Sequence, residues 1–282
     1  MDVLPPGVVR DAVARALAED LGPLGDLTAA LVPDHVMVVA EIRSRGDGVL
    51  AGSACATEAF GQVSRAVSVD WHVDDGVRIA KGDVVATVTG PLAPVLTAER
   101  TALNFLCHLS GIATLTRRFV DAVAAVNPRT RVWDTRKTLP GLRALEKAAV
   151  RAGGGVNHRG SLSDFVLIKD NHLAGLTITQ AVHRARERWP GRTVEVECDR
   201  LEQVIEALTA GATLIMCDNM TPDEVKECVA VVAGRVPVEV SGGVTLETAA
   251  QYAAAGADLI STSAITQSAP ACDLGLDLHV TS

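Results

Sequence analysis

Aromatic residues and an excess of positive charge are both lacking in this 282-residue sequence. Only 3% of the residues are Phe, Trp or Tyr, and 26 Lys and Arg against 34 Asp and Glu leave a formal net charge of −8. Nucleic-acid-binding proteins normally combine basic patches with stacking rings, so no nucleic-acid partner is expected. No apolar run has the length of a membrane span, so no membrane partner is expected either.

Paired cysteines and a leader sequence are also lacking. The six cysteines include no Cys-x-x-Cys pair, and this scatter is typical of free thiols in a reducing compartment rather than of disulfides or a zinc site. The first residues do not form the basic and apolar segments of a signal peptide. These features predict a cytoplasmic protein.

The first part of the chain changes from a helical to a strand period. Val9, Val13 and Leu17 recur at helical spacing, and a Gly-Pro pair ends the run. Alternating apolar residues with Asp-Gly and Gly-Pro turns then predict an antiparallel β region over about 36–95. A further helix is predicted from about Ala98.

From residue 130 onward, short β-branched strands alternate with amphipathic helices. This rhythm predicts a parallel sheet with helical crossovers, and its even stride favours a (β/α) barrel. No G-x-G-x-x-G motif opens the first helix, which argues against a dinucleotide-binding fold. The predicted strands are 132–133, 165–168, 193–196, 213–216, 236–240 and 259–260.

Polar residues follow these strands at their carboxyl ends, where barrels carry their chemistry. In chain order they are Asp134, Arg136, Lys137, Lys169, Glu197, Asp218 and Ser241-Gly242-Gly243. A single polar residue in this position is usually a solvated loop residue. Several at one level of a barrel are expected to converge on one mouth.

Positive charge is concentrated between Arg131 and Lys169, where eight Lys and Arg face three Asp and Glu. Part of this charge falls at helical spacing and predicts a solvent-exposed helix face, made of Arg143, Glu146, Lys147 and Arg151. Four of the five remaining cations follow the first predicted strand and lie outside that helix: Arg136, Lys137, Arg159 and Lys169, with His158 beside them. A concave cationic site concentrates anions, so a small, multiply anionic ligand is predicted.

Two strand-end loops and two carboxylates refine the predicted ligand. Ser241-Gly242-Gly243 and the loop at 261–264 follow the last two strands, where barrels often bind phosphate through backbone N–H groups. Glu197 and Asp218 can hold Mg²⁺ or face a positive charge that develops on a sugar. The alternative is that they are salt-bridge partners of the lysines.

Several motifs together resemble the quinolinate phosphoribosyltransferase family. They are LTAERTALN (96–104), DTRKTLPGLR (134–143), GGGVNHR (153–159), LIKDNH (167–172), EVE (195–197) and SGG (241–243). The resemblance implies an α/β fold, with an N-terminal α/β sandwich over 1–112, joined by the tail 272–282, and an open seven-stranded (β/α) barrel over 113–271. It also implies a homodimer with a shared active site, or a higher oligomer, and Mg²⁺ as cofactor. The implied reaction converts quinolinate and 5-phosphoribosyl-1-pyrophosphate into nicotinate mononucleotide, pyrophosphate and CO₂.

The resemblance also implies roles for particular residues. The quinolinate carboxylates would be held by Arg136, His158, Arg159, Lys169 and, from the neighbouring chain, Arg100. The phosphoribosyl pyrophosphate would be held by Thr135, Lys137, Glu197, Asp218, Ser241, Gly242, Gly243, Ser263 and Ala264. Lys137, Glu197 and Asp218 would carry catalysis, with Glu197 and Asp218 binding Mg²⁺ directly or through water, and His158 would orient substrate rather than abstract a proton.

Two departures and three alternatives accompany this interpretation. The family usually has glycine at the position of Ser263 and histidine at that of Gln267, and Ser263 suits phosphate binding only if its φ is negative. A related enzyme acting on another anionic heteroaromatic acid would have the same residues. A lipoyl- or biotinyl-carrier-like module is suggested only by the turns at 75–77 and 81–83, and a non-catalytic phosphate-binding barrel would lack the paired carboxylates.

Overall fold

The computed structural model describes residues 4–33 and 35–280, which divide into two compact units. Unit 1 contains the described residues up to Arg117, together with Thr138–Gly154 and the chain from Ser268 onward. Unit 2 contains Arg118–Lys137 and Gly155–Gln267. The chain therefore passes between the units several times.

The helices and strands follow the two rhythms predicted from the sequence. The helices within the described residues are α1 (Pro6–Leu21), α2 (Ser53–Val63), α3 (Leu92–Ala124), α4 (Arg143–Ala152), α5 (Asp170–Leu173), α6 (Ile178–Arg188), α7 (Leu201–Ala210), α8 (Pro222–Val232), α9 (Leu246–Ala254) and α10 (Ala264–Gln267). The strands are β1 (Met37–Ser44), β2 (Gly48–Val49), β3 (Ser68–Trp71), β4 (Arg78–Ile79), β5 (Val84–Pro91), β6 (Arg131–Trp133), β7 (Val166–Ile168), β8 (Val194–Cys198), β9 (Leu214–Asp218), β10 (Val238–Ser241), β11 (Leu259–Ser261) and β12 (Leu274–Val280). In this part of the chain, no helix combines the length and the apolar character needed to cross a bilayer.

Unit 1 is built on an antiparallel sheet with the strand order β12-β1-β5-β3. Alternate residues of β1 (Val38, Ala40 and Ile42) are buried, as its period of two predicts. The sequence pattern missed α2, which interrupts the predicted β region. Its buried residues, among them Ala56 and Phe60, follow the helical period over too few turns to stand out between strands.

Helix α4 of unit 1 corrects the prediction of a solvent-exposed charged face. Glu146 is fully buried and Lys147 is buried. Glu146 accepts hydrogen bonds from His108 Nε2 at 2.9 Å and from the backbone N–H of Leu139 at 3.2 Å. These partners satisfy the carboxylate inside the unit, so charge alone did not indicate the exposed side of this helix.

Unit 2 is built on a parallel sheet with the strand order β6-β11-β10-β9-β8-β7. β6 and β7 are its two edges, so the (β/α) barrel is open, as predicted. The number of strands differs from the seven that were expected. Among the described residues six strands form ladders, and instead of a seventh strand there is one isolated bridge between Trp133 and Val156. Gly154, two residues before Val156, has a φ of +89°, which an extended strand cannot adopt.

Capped helices keep several strand-end loops of unit 2 short. Thr177, Thr221 and Thr245 stand at the N-caps of α6, α8 and α9, and each side chain accepts a hydrogen bond from the backbone N–H three residues on. Each cap ends the connection from the preceding strand or helix and starts the next helix. The polar residues after the strands therefore stay at one edge of the sheet.

Candidate active site

A cavity of about 460 Å³ lies within unit 2 at the carboxyl ends of its parallel strands. Residues from all six strands or the loops after them line it, so the sheet curves around this space. They are Thr135, Arg136, Lys137, His158, Arg159, Leu167, Lys169, Glu197, Met216, Asp218, Asn219, Glu239, Ser241, Gly242, Gly243 and Ser261. Most residues predicted from the sequence to bind substrate therefore share one cavity.

Four cationic side chains line the cavity: Arg136, Lys137, Arg159 and Lys169. Burial lowers the pKa of Arg159, and the neighbouring positive charge of Arg136 lowers it further. Arg159 also lies over the ring of Phe165, with 5.8 Å from Cζ to the ring centre. Two guanidinium groups held close together disfavour each other's charge, and a di-anion between them relieves this repulsion.

Lys137 is held by its own backbone at the cavity wall. Its N–H donates to Thr135 Oγ1 at 2.9 Å, and its carbonyl oxygen accepts from Thr266 Oγ1 at 2.7 Å. The predicted phosphate-side residues Thr135 and Lys137 are thus bonded to each other and, through Lys137, to α10, the short helix that follows β11. The lysine side chain remains available to the cavity contents.

The carboxylates Glu197 and Asp218 stand on adjacent strands among these cations. Glu197 forms an ion pair with Lys169, which agrees with the salt-bridge alternative for this residue. Asp218 Oδ2 accepts a hydrogen bond from Asn219 Nδ2 at 2.7 Å. Carboxylate oxygens that open into a cavity suit Mg²⁺, which binds proteins through one or two carboxylates together with substrate phosphates.

The floor of the cavity contains a cluster that the sequence analysis did not single out. His158 Nε2 lies 3.2 Å from Glu195 Oε2 and 3.7 Å from Glu239 Oε2. Both glutamates are fully buried and His158 is 7% exposed. The ligand-type atoms of the three residues lie within 4.8 Å of one another, so they could also hold a metal ion, although the carboxylates at the mouth suit Mg²⁺ better.

Burial changes the charge of this floor. It raises the pKa of Glu195 to about 7, and it raises the pKa of Glu239 well above the usual range, with the nearby charge of Glu195 acting in the same direction. Burial at this depth therefore favours the neutral form of Glu239. The signal in the sequence was a Glu between apolar residues inside each of two strands: Glu195 in VEVE (194–197) and Glu239 in VEV (238–240).

His158 is fixed on several sides, which suits its predicted role of orienting substrate. Its ring makes an edge contact with Trp133 and a tilted contact with Phe165, each with ring centres 5.0 Å apart. Its backbone N–H donates to Asp134 Oδ1 at 2.9 Å, and Asp134 is itself fully buried. The Nε2 atom faces the glutamates of the floor.

The two predicted phosphate loops differ in their placement. Gly242 and Gly243 line the cavity with φ of +88° and +59°, conformations that favour glycine. The described residues that line the cavity do not include Ser263 or Ala264, and the N–H of Ala264 donates to Thr262 Oγ1 at 3.2 Å. Ser263 is not among the described residues with positive φ, so its backbone meets the condition stated for serine.

Arg100 is the predicted quinolinate ligand that belongs to the other unit. It lies on α3 within unit 1, where its side chain is exposed. The other predicted site residues, from Thr135 to Ala264, all belong to unit 2. A role for Arg100 in binding quinolinate therefore stays a prediction.

An open (β/α) barrel with four cations, two carboxylates and a glycine turn at its strand ends defines an enzyme that binds a phosphate-bearing polyanion. Models of the quinolinate phosphoribosyl transferase N-terminal and C-terminal domains match residues 26–110 and 112–277. The chain belongs to the quinolinate phosphoribosyltransferase family.

Individual relatives agree with this assignment over nearly their full length. The chain is 44% identical over 278 residues to the nicotinate-nucleotide pyrophosphorylase [carboxylating] of Mycobacterium leprae, with 95% of this chain and 96% of the relative covered. It is 40% identical to the probable enzyme of the same name from Bacillus subtilis, covering 94% and 91%. The crystal structure of NadC from Streptococcus pyogenes superposes with a TM-score of 0.95 at 36% identity, covering 100% of both chains.

Proposed function

We propose that this protein transfers the phosphoribosyl group of 5-phosphoribosyl-1-pyrophosphate to quinolinate, forming nicotinate mononucleotide, pyrophosphate and CO₂ for NAD synthesis. The observation that supports this proposal most directly is the cavity that holds Arg136, Arg159 and Lys169 together with Glu197 and Asp218. Both substrates are anionic, and their repulsion must be offset by fixed positive charge. Membership of the family supports the same pair of substrates.

Quinolinate is expected to bind through its two adjacent carboxylates. Arg136 and Arg159 suit this task because a guanidinium forms paired hydrogen bonds with a carboxylate, and Lys169 adds a third charge. His158 orients the acid from the cavity floor. Because Phe165 packs against both Arg159 and His158, it holds this part of the site in shape.

Phosphoribosyl pyrophosphate is expected to bind beside it. Thr135 and Lys137 face the pyrophosphate, and the turn formed by Ser241, Gly242 and Gly243 faces the 5-phosphate. Glu197 and Asp218 would hold Mg²⁺, which neutralises charge on the pyrophosphate when bound. Ser263 and Ala264 contribute less than the family pattern implies, because the cavity is lined by the loop after β10 rather than by theirs.

The two chemical steps follow from these positions. The C1–O bond of the ribose breaks, pyrophosphate leaves with the electron pair, and the quinolinate nitrogen forms the new bond to C1. Glu197 and Asp218 stabilise the positive sugar between these events. The bond from C2 to the 2-carboxylate then breaks and CO₂ departs. The electron pair stays on C2, where the adjacent positive nitrogen stabilises it, until C2 takes up a proton.

We also propose a homodimer in which Arg100 of the partner subunit joins the cations of each site. An equimolar mixture of Arg100→Ala and Lys137→Ala chains tests this, because each heterodimer then has one site with both residues intact. Recovered activity in verified heterodimers supports the shared site, and its absence contradicts it.

All six cysteines are free thiols, which supports the proposal that the protein works in a reducing compartment such as the cytoplasm.

The decisive experiment measures nicotinate mononucleotide formed from quinolinate and phosphoribosyl pyrophosphate with Mg²⁺. Nicotinate replaces quinolinate in a parallel reaction, and EDTA replaces Mg²⁺ in a third. Product and CO₂ in equal amounts from quinolinate, with little from nicotinate and none with EDTA, are expected. Turnover of nicotinate alone, or tight binding of both substrates without product, would contradict the proposal.

A further inference from the structure

Asn219 has an unusual backbone conformation at the wall of the cavity. Its φ is +57°, and the other non-glycine residues with positive φ in the described chain are Ala174 and Ala233. Both alanines are the C-caps of helices, where the left-handed conformation is common. Asn219 instead follows strand β9 directly, so no helix end explains its conformation.

Asn219 contacts both neighbours that matter for phosphoribosyl pyrophosphate. Its backbone N–H donates to the carbonyl oxygen of Ser241 at 3.0 Å. Its side-chain Nδ2 donates to Asp218 Oδ2 at 2.7 Å. A carboxylate can only accept hydrogen bonds, so this contact directs the amide nitrogen to Asp218 and the amide oxygen away from it.

The amide oxygen is directed at Gly242. A Cβ atom placed on Gly242 would collide with Asn219 Oδ1 and would lie 2.8 Å from the Asn219 backbone nitrogen. The φ of Gly242 is +88°, so this position both needs and has a residue without a side chain. Asn219 and Gly242 are therefore in direct contact across two adjacent strands.

We infer that Asn219 is a positioning residue that sets the distance between the Asp218 carboxylate and the Gly242 turn. One side chain holds the carboxylate, and the same residue packs against the turn. This inference rests on the proposed function, in which the two groups bind the ribose side and the 5-phosphate of the same substrate. The quinolinate-binding residues lie on other strands and loops, so the effect is confined to one substrate.

Replacing Asn219 by glycine distinguishes the effect of the side chain from the effect of the backbone conformation. Asn219→Gly retains access to the left-handed conformation and removes both contacts of the amide. The affinity for phosphoribosyl pyrophosphate in the presence of Mg²⁺, measured by titration calorimetry, is expected to fall about tenfold or more because a charge-assisted hydrogen bond is lost. The KM for this substrate is expected to rise similarly, while the KM for quinolinate changes by less than about twofold.

Ala233→Gly is the matched control, because it removes a side chain from a residue with φ of +51° at the end of α8, outside the cavity lining. It is expected to leave both substrate constants unchanged. A structural defect in Asn219→Gly would raise the KM for both substrates, whereas a positioning role raises only the KM for phosphoribosyl pyrophosphate. Equal changes in both, or an unchanged affinity for phosphoribosyl pyrophosphate, would overturn the inference.

A double-mutant cycle tests the contact itself. Gly242→Ala alone introduces both the strain of positive φ and the collision with the Asn219 side chain. The Asn219→Gly background removes the side-chain collision and keeps the strain and the close approach to the backbone nitrogen of residue 219. Gly242→Ala is therefore expected to cost less affinity there. Additive losses would show that the two residues act separately, which contradicts the inference.

Binding of phosphoribosyl pyrophosphate to the unaltered protein distinguishes the inference from the proposed function. If the unaltered protein does not bind this substrate, both are wrong, whereas normal binding without turnover contradicts the proposed function alone.

Discussion

Glu195 and Glu197 stand on the same strand, point to the same side of the sheet and differ by one layer of depth. Glu197 is at the mouth, partly exposed and paired with Lys169. Glu195 is on the floor, fully buried beside His158 and Glu239, with a pKa raised to about 7. Identical side chains two residues apart therefore have different surroundings, because depth in the barrel decides how far a carboxylate is removed from water.

Strand β10, which is separated from β8 by β9, repeats this division. Glu239 belongs to the floor, and Ser241 lies at the mouth two residues later. The mouth contains partly exposed groups that open to ligand and water, whereas the fully buried glutamates of the floor contact His158. We therefore expect substitutions at the mouth to change activity and substitutions on the floor to change stability.

The largest effect is expected from Glu197→Gln at the mouth. Loss of the negative charge removes stabilisation of the positive sugar and frees Lys169, so kcat/KM is expected to fall about 10²- to 10³-fold. The free energy of unfolding should change little because the side chain is partly exposed. Steady-state kinetics and urea denaturation measure both, with Glu202→Gln on the exposed side of α7 as control. A stability loss as large as the activity loss would contradict the division by depth.

On the floor, His158→Phe is expected to lower the free energy of unfolding by about 3 kcal/mol. The ring volume is retained, but the two buried carboxyl groups lose the partner that lies between them. Urea denaturation at fixed protein concentration measures the change, and His183→Phe on the exposed side of α6 is the matched control. Equal stability of the two variants would show that the floor does not need the imidazole.

A smaller effect is expected in the dependence of stability on pH. The pKa values of Glu195 and Glu239 are raised in the folded state, so the native protein retains protons that the unfolded chain has released. Their contribution to stability is complete below the unfolded pKa near 4.5 and is lost as the pH rises from there through about 7 and beyond.

Glu239→Gln retains the shape of the protonated side chain and removes one of the two titrating groups. The slope of unfolding free energy against pH is expected to become shallower by up to about 1.4 kcal/mol per pH unit in that window. Denaturation series from pH 5 to about 8 test this, and Glu187→Gln on the surface of α6 should retain the wild-type slope. A variant slope as steep as that of the wild type would contradict a raised pKa for Glu239.

The smallest effect is expected from Ser263→Gly. Ser263 does not need positive φ and is not one of the described residues that line the cavity. Restoring the residue usual in the family is therefore expected to change kcat and both KM values by less than about twofold. A clear gain in affinity for phosphoribosyl pyrophosphate would show that the loop after β11 belongs to the mouth after all.

The predictable part of the site was the part signalled by position along the chain. Arg136, Lys169 and Asp218 could be found because each lies at or shortly after the end of an apolar strand, and strand ends in a barrel meet at one edge. Glu195 and Glu239 were not singled out, because a charged residue inside an apolar strand has no partner that the sequence can indicate. Glu146 was assigned to the wrong side of its helix for the same reason: its partners His108 and Leu139 come from other segments.

The sequence by itself determined the order of helices and strands in the barrel unit, the cationic character of the site and the family, because periodicity, turn residues and motifs are local properties. Only the tertiary structure decided which glutamates lie deep, that the seventh strand is a single bridge, and that Asn219 touches Asp218 and Gly242 together. Those outcomes depend on distances between segments that are remote in the chain. Burial and the neutralisation of charge depend on such distances, and a local sequence pattern does not indicate them.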